Sequence, residues 1–289
     1  MAGSVLITGG SSGIGLATAR RFAERGWSVV LAARSEAALI RAAAQVSGAQ
    51  YRAVDVTDQQ AVEQLFADCP PFEVVVHAAM VMGYGRVEEL DPEVFRAVTR
   101  TGVDGTFHVA RAALASFRRH GRGKLIVINS LVGHIVSPQL GAYATAKWAQ
   151  AALIRTLQLE LRGQDAIRVC SIVPGAVNTP VYRQAANVTG RRPRPPLPVD
   201  QPDAVAAAVL RCLDRPRDEL SVGLANRFIR FGFTFVPGLY NRLVGPLLTR
   251  LSLLDEPTEP ATGNVLAPVP GREAEADRWT RRWSISSRH

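Results

Sequence analysis

From Ser4 to about Gly223, short apolar runs alternate with stretches of helical period. The runs Ser4–Thr8, Ser28–Ala33, Tyr51–Val54, Phe72–Ala78, Lys124–Asn129, Ile167–Ile172 and Leu220–Gly223 predict strands. Val29, Val30 and Leu31 are continuously apolar, as a strand buried on both faces requires. Between the strands, helices are predicted at about Ile14–Arg25, Glu36–Val46, Gln59–Ala67, Pro92–Arg119, Ala142–Arg162 and Pro202–Asp214. Such alternation implies an α/β chain, a doubly wound parallel sheet with right-handed crossovers. Ligands of such sheets bind beyond the carboxyl ends of the strands, where Thr8, Ala33, Asp55, Ala78 and Ser130 fall.

The pattern loosens after Val173. Residues Pro174–Asp200 hold a proline-rich loop (Pro193, Pro195, Pro196, Pro198), read as a lid over the site. Arg227–Leu254 is apolar and aromatic, but Arg230, Pro237, Arg242 and Pro246 interrupt it, which argues against a membrane-spanning helix. Three readings remain: extra helices packed near the pocket as a flap, a subunit interface, or an interfacial membrane-binding stretch. The first is favoured and the last is not. From Asp255 to His289, Pro, Glu, Gly and Arg dominate and predict a disordered tail. The expected organisation is one catalytic domain over 1–224, an extension over 225–254 and a tail over 255–289.

Composition adds bounds. The 289 residues are 47% hydrophobic, enough for one large core. The net charge of +9 raises the question of nucleic acid, but no recognition-helix or zinc-finger pattern accompanies it, and clusters such as Arg191, Arg192 and Arg194 read as solvated surface. Cys69, Cys170 and Cys212 lack metal-ligand spacing, so no metal and a reduced, cytoplasmic setting are expected. No cleavable signal is expected before the first strand.

The first strand runs into Thr8-Gly9-Gly10-Ser11-Ser12-Gly13-Ile14-Gly15. Glycines at 9, 13 and 15 allow a tight turn that brings backbone against a pyrophosphate at a helix N-terminus. This makes Thr8, Gly9, Ser11, Ser12, Gly13, Ile14 and Gly15 candidate contacts in a Rossmann-type dinucleotide site, although the spacing is not G-x-G-x-x-G. An acid at the end of the second strand would bind ribose hydroxyls and repel a 2′-phosphate. Here Ala33 is followed by Arg34, so NADP(H) is favoured over NAD(H). Asp55 and Val56, ending the third strand, are candidates for the adenine.

Tyr143 and Lys147, four apart, share a helix face, and Ser130 stands upstream at a strand end. Alone that spacing is common; behind the glycine loop it becomes specific. Together with Pro174-Gly175 and Thr179, these motifs make residues 4–179 resemble the short-chain dehydrogenase/reductase superfamily. The resemblance implies that Tyr143 is the general acid/base and that Ser130 holds the substrate oxygen. It implies that Lys147 lowers the tyrosine pKa and binds the nicotinamide ribose. Ala78 and Ala79 would flank the cofactor, while Pro174, Gly175, Val177 and Thr179 would meet its nicotinamide end. A homodimer or homotetramer is expected. The physics agrees, because an ammonium beside a phenol stabilises phenolate.

Two departures from the family pattern stand out. His77-Ala78-Ala79-Met80 replaces Asn-Asn-Ala-Gly, and the asparagine of the usual proton relay corresponds to Gly102. His77 is read as a hydrogen-bonded packing residue. His134, Gln139 and Leu140 are candidate substrate contacts. The expected function is an NADP(H)-dependent oxidoreductase interconverting a secondary alcohol and a ketone, or an alcohol and an aldehyde, on an apolar small molecule. A non-catalytic cofactor sensor or scaffold is the alternative, and epimerisation or dehydration a third reading.

Overall fold

The computed structural model describes residues 3–269, 271, 273–277 and 279. Seven strands, β1 (Ser4–Thr8), β2 (Ser28–Ala33), β3 (Gln50–Ala53), β4 (Val74–His77), β5 (Gly123–Ile128), β6 (Ile167–Pro174) and β7 (Glu219–Val222), form one sheet in the order β7-β6-β5-β4-β1-β2-β3. All neighbours are parallel. The chain winds outward from β1 to β3, then returns to lay β4 on the other side of β1. A crevice therefore opens between β1 and β4, whose ends pair Thr8 with His77.

Strand period two explains the layering. Val5 and Ile7 of β1 point into one apolar layer while Leu6 points into the other. The first layer is closed by α1 (Gly13–Glu24), α2 (Glu36–Ala43) and a late helix, Pro202–Asp214, through Leu16, Phe22, Leu39, Val205 and Val209. The second is closed by α3 (Gln59–Asp68) and the helices that follow β4, through Val62, Val109, Phe117 and Ile154. Asp58 caps α3 by accepting from the Ala61 N–H at 3.1 Å.

One long helix is predicted over Pro92–Arg119. The structure instead breaks it at Val103 into α4 (Pro92–Gly102) and α5 (Asp104–His120), and the Thr106 hydroxyl donates to the Gly102 carbonyl at 2.7 Å. The site helix, α6, spans Gly141–Glu160. Pro202–Asp214 is α7, and the apolar extension forms a hairpin of α8 (Asn226–Phe235) and α9 (Pro237–Ser252). Among the described residues, no helix is long and apolar enough to cross a membrane.

The expectation of a disordered tail from Asp255 differs from what is observed. Leu253–Pro257 pairs antiparallel with Arg191–Pro193 of the proline-rich segment. The described residues beyond it form a strap along the body. Glu273 pairs with Arg41 at 2.8 Å, Glu275 with Arg20 at 2.5 Å and Asp277 with Arg183 at 3.4 Å. The tail lacks the apolar content that would betray order, but its carboxylates match arginines on α1, on α2 and at 183 that only the fold brings together. Residues 280–289 lie outside the described residues.

Candidate active site

The glycine loop owes its shape to two close approaches. Gly9 has φ +67°, and a Cβ there would stand 2.7 Å from the Ala79 backbone nitrogen. A Cβ on Gly15 would stand 2.2 Å from the Gly9 carbonyl oxygen, so the first turn of α1 presses directly on the loop. Ser12, the N-cap of α1, makes no side-chain capping bond. Backbone N–H groups at a helix start facing a cleft are a ready site for phosphate. The residues present therefore fit a dinucleotide at this end.

Donors at this end are engaged by the strap. The Gly13 N–H donates to the Ala274 carbonyl at 2.8 Å. The Arg34 guanidinium donates to the carbonyls of Asn264 at 2.5 Å and Val265 at 3.2 Å. Burial pulls Arg34 below its ordinary pKa, partly opposed by the Asp55 carboxylate. Asp55 itself accepts from the Thr57 N–H at 2.9 Å, tightening the turn after β3.

At the other end of the cleft, Ser130 follows β5 and Tyr143 and Lys147 project from the first two turns of α6. The Ser130 hydroxyl accepts from the Val132 N–H at 3.2 Å, which leaves its own proton to donate. Lys147 Nζ lies 5.8 Å from the centre of the Tyr143 ring. The depressed phenol pKa expected from the sequence is not what the chain alone produces. Burial pushes Tyr143 up to about 12, with a hydrogen bond to Ser130 only partly offsetting it. Burial likewise pulls Lys147 down to about 7. The chain alone thus holds the phenol protonated.

Lys147 heads a buried polar chain that the sequence did not reveal. Its ammonium donates to the Ile128 carbonyl at 2.8 Å and to Gln150 Oε1 at 2.9 Å. Gln150 Nε2 donates to Thr106 Oγ1 at 2.7 Å. Thr106 spends its single proton on the Gly102 carbonyl, so His77 Nε2, 3.1 Å away, must donate to it. His77 Nδ1 then accepts from the Thr8 hydroxyl at 2.8 Å. Every member has a partner and a direction, and burial drives the His77 imidazole down to about 3, with Lys147 adding to the effect. Thr106 and Gln150 carried one available signal: polar residues on helix faces that otherwise pack on the sheet.

The two departures from the family pattern are complementary. A Cβ at Gly102 would lie 2.7 Å from the Ala146 Cβ and 3.2 Å from the Met80 sulfur. Met80 fills the room where a side chain at 102 would go, and α4 packs against α6 through the glycine.

Gly9, Ser11, Ser12, Gly13, Ile14 and Gly15 of the loop, with Arg34, Asp55, Val56, Ala78, Ala79, Ser130, Leu140, Tyr143, Lys147, Pro174, Gly175, Val177 and Thr179, all line one cleft. Three predicted residues lie elsewhere. Thr8 is buried beneath the loop on His77. His134 turns away to pair with Glu219 at 3.1 Å, holding that carboxyl down at about 2. Gln139 takes φ +65° in a turn and accepts from the Gly85 N–H through its carbonyl. The wall beside Tyr143 is formed instead by Met82, Tyr84, Leu140 and Tyr182, with Ile229 and Leu248 of the hairpin and Pro196 and Leu197 of the proline-rich segment. That segment does line the cleft, as a lid would.

Known proteins agree with this architecture. The chain is 28% identical over 273 residues, 91% of its length and 77% of the relative's, to the uncharacterized oxidoreductase YxnA of Bacillus subtilis. It is 37% identical over 191 residues, 62% of the chain and 69% of the relative, to a 1-deoxy-11-beta-hydroxypentalenate dehydrogenase of Streptomyces exfoliatus. Among solved structures, an alcohol dehydrogenase from the archaeon Thermococcus sibiricus, complexed with 5-hydroxy-NADP, superposes with a TM-score of 0.66 at 30% identity, covering 77% of this chain and 96% of that one. The family model for short chain dehydrogenases matches residues 4–188, and with its sheet, its glycine loop and its oxidoreductase relatives the chain belongs to the short chain dehydrogenase family.

Proposed function

We propose that the protein is an NADP(H)-dependent oxidoreductase interconverting an apolar secondary alcohol and its ketone, or an alcohol and its aldehyde. The observation that carries this reading is the single cleft with Ser130, Tyr143 and Lys147 at one end and the glycine loop with Arg34 at the other. When bound, the nicotinamide supplies or accepts the hydride. In the reducing direction Ser130 donates a hydrogen bond to the carbonyl oxygen and orients it. Tyr143, a protonated phenol at neutral pH, gives its proton to that oxygen as negative charge develops. Lys147 supplies positive charge beside the phenol and stabilises the phenolate left behind. Gln150, braced by Thr106 and His77, holds the ammonium in place where the family's asparagine relay is absent.

Arg34 supports the phosphorylated cofactor, since its guanidinium is half-buried at the end of β2 with no acid in the preceding position. The aromatic and aliphatic wall around Tyr143 supports an apolar substrate. The test is a panel of carbonyls and alcohols followed at the nicotinamide absorbance with both cofactors. NADPH consumption with an apolar carbonyl, lost in Tyr143→Phe, is expected. Equal turnover by the Phe variant overturns the role of Tyr143, and tighter binding of NADH than NADPH overturns that of Arg34.

A further inference from the structure

The α8–α9 hairpin carries apolar side chains on two faces, one toward the body and one exposed. Its inner face is fastened to the body. Asn226 is buried and donates to the Val222 carbonyl at 2.7 Å, Phe233 packs on Trp148 and Tyr240, and the Tyr240 hydroxyl donates to the Val136 carbonyl at 3.1 Å. Ile229 and Leu248 line the cleft. The outer face carries Leu224, Phe228, Phe231 and Phe235, spaced four, three and four residues apart, and Leu239, Leu243 and Leu247, spaced four apart. The phenylalanines make a stripe along α8, with Leu224 just before it, and the leucines make one along α9. These side chains range from 52% exposed at Leu247 to 80% at Phe228 and 95% at Leu224. A patch of this kind marks a binding surface.

Charge decides the occupant. Between Leu224 and Leu254 there are four exposed arginines and no acidic residue; Arg230 pairs with Glu219 at 2.7 Å, and Arg227, Arg242 and Arg250 carry the charge of this face. A second copy docking on this face about a two-fold axis would set arginines against arginines. Phenylalanines and leucines rimmed by arginine suit a lipid interface, where rings enter the acyl boundary and guanidinium groups meet phosphates. We propose that the outer face of the 224–252 hairpin docks in the plane of an anionic lipid surface. The docked element is then the roof of the cleft itself.

Sedimentation of the full chain with vesicles tests this. Binding is expected to vesicles of phosphatidylcholine with phosphatidylglycerol, but weakly to phosphatidylcholine alone, and is expected to fall with salt. Phe228→Ser/Phe231→Ser/Phe235→Ser should lower the partition coefficient by about tenfold or more, and so should Arg227→Glu/Arg242→Glu/Arg250→Glu, whose apolar stripe is intact. Absence of binding to anionic vesicles overturns the proposal. So does a dimer that the triple serine variant converts to monomer, because the face then belongs to a second copy.

The strap carries a separate inference, which rests on the dinucleotide reading. Gly13 N–H and the Arg34 guanidinium are donors that cofactor phosphates would use, and both are taken by carbonyls of Ala274, Asn264 and Val265. We infer that the strap and the dinucleotide compete for the adenosine end of the cleft, so that binding requires the strap to lift. The ion pairs Arg41–Glu273 and Arg20–Glu275 hold it down. In the full chain, Glu273→Gln/Glu275→Gln is expected to bind NADPH about tenfold more tightly, by removing the cost of opening. Arg41→Gln/Arg20→Gln breaks the same two pairs while lowering the positive charge nearby, and should tighten binding likewise. Unchanged or weaker binding in the first variant overturns the inference. If neither wild type nor variant binds any nicotinamide cofactor, the cofactor reading itself falls, and this inference with it.

Discussion

The two ends of the cleft are built on opposite principles. Behind Ser130, Tyr143 and Lys147 runs a buried polar chain, bonded inward from Lys147 through Gln150, Thr106 and His77 to Thr8. Around the glycine loop and Arg34 the donors point outward and are bonded to a segment more than two hundred residues away in sequence. The first end is preorganised by the core, and altering it disturbs buried, satisfied bonds. The second is held by part-buried hydrogen bonds to backbone carbonyls, which another acceptor can replace.

The largest effect should come from the preorganised end. Tyr143→Phe is expected to reduce turnover by about a thousandfold while leaving cofactor affinity unchanged, because it removes only the transferable proton. Steady-state rates beside a fluorescence titration of NADPH check this, and retained turnover would break the contrast. Next, Gly102→Asn should destabilise the fold by about 2 kcal/mol, since its side chain meets Ala146 and Met80. Met80→Gly in the same chain should recover part of that loss in thermal unfolding. An absence of coupling would mean that the two departures are unrelated.

Gln150→Leu removes an acceptor from the Lys147 ammonium, so the lysine pKa should fall further below about 7. The charged form exists below the pKa, so carbonyl reduction should decline at a lower pH than in the wild type. A loss of about tenfold in kcat at neutral pH with KM little changed is expected, the signature of a positioning residue. A pH profile that does not move would leave Gln150 a merely structural residue. The smallest effect on folding belongs to the exchangeable end. Arg34→Ala should lower the preference for NADPH over NADH by about tenfold with a melting temperature little changed, because it removes two hydrogen bonds to backbone carbonyls and leaves the apolar packing in place. A large drop in melting temperature would show that these bonds, beside the packing of Val265 in the core, hold the strap in place.

How much was legible follows from the same contrast. Strand and helix alternation was readable because burial on both faces forces continuous apolar runs, and Val5, Leu6 and Ile7 divide between the two layers as period two requires. The glycine loop and the Tyr143–Lys147 spacing were readable because local backbone geometry dictates them. The break at Val103 was not, since it depends on where the Thr106 hydroxyl, shared with Gln150 and His77, meets a backbone carbonyl. His134 and Gln139 were placed in the pocket by proximity to Ser130 in sequence. A pairing with Glu219, far along the chain, turns the histidine away.

The residue pattern alone specified the sheet, the helix faces and the residue types gathered at the strand ends, because each of these is governed by periodicity or by a backbone turn a few residues long. Tertiary structure alone decided the buried chain from Lys147 to Thr8, the fit of Met80 over Gly102, the doubly apolar hairpin and the strap on the glycine loop. Each of these depends on contacts between segments far apart in sequence. Such contacts come into being only when the chain closes on itself, and no local pattern encodes them.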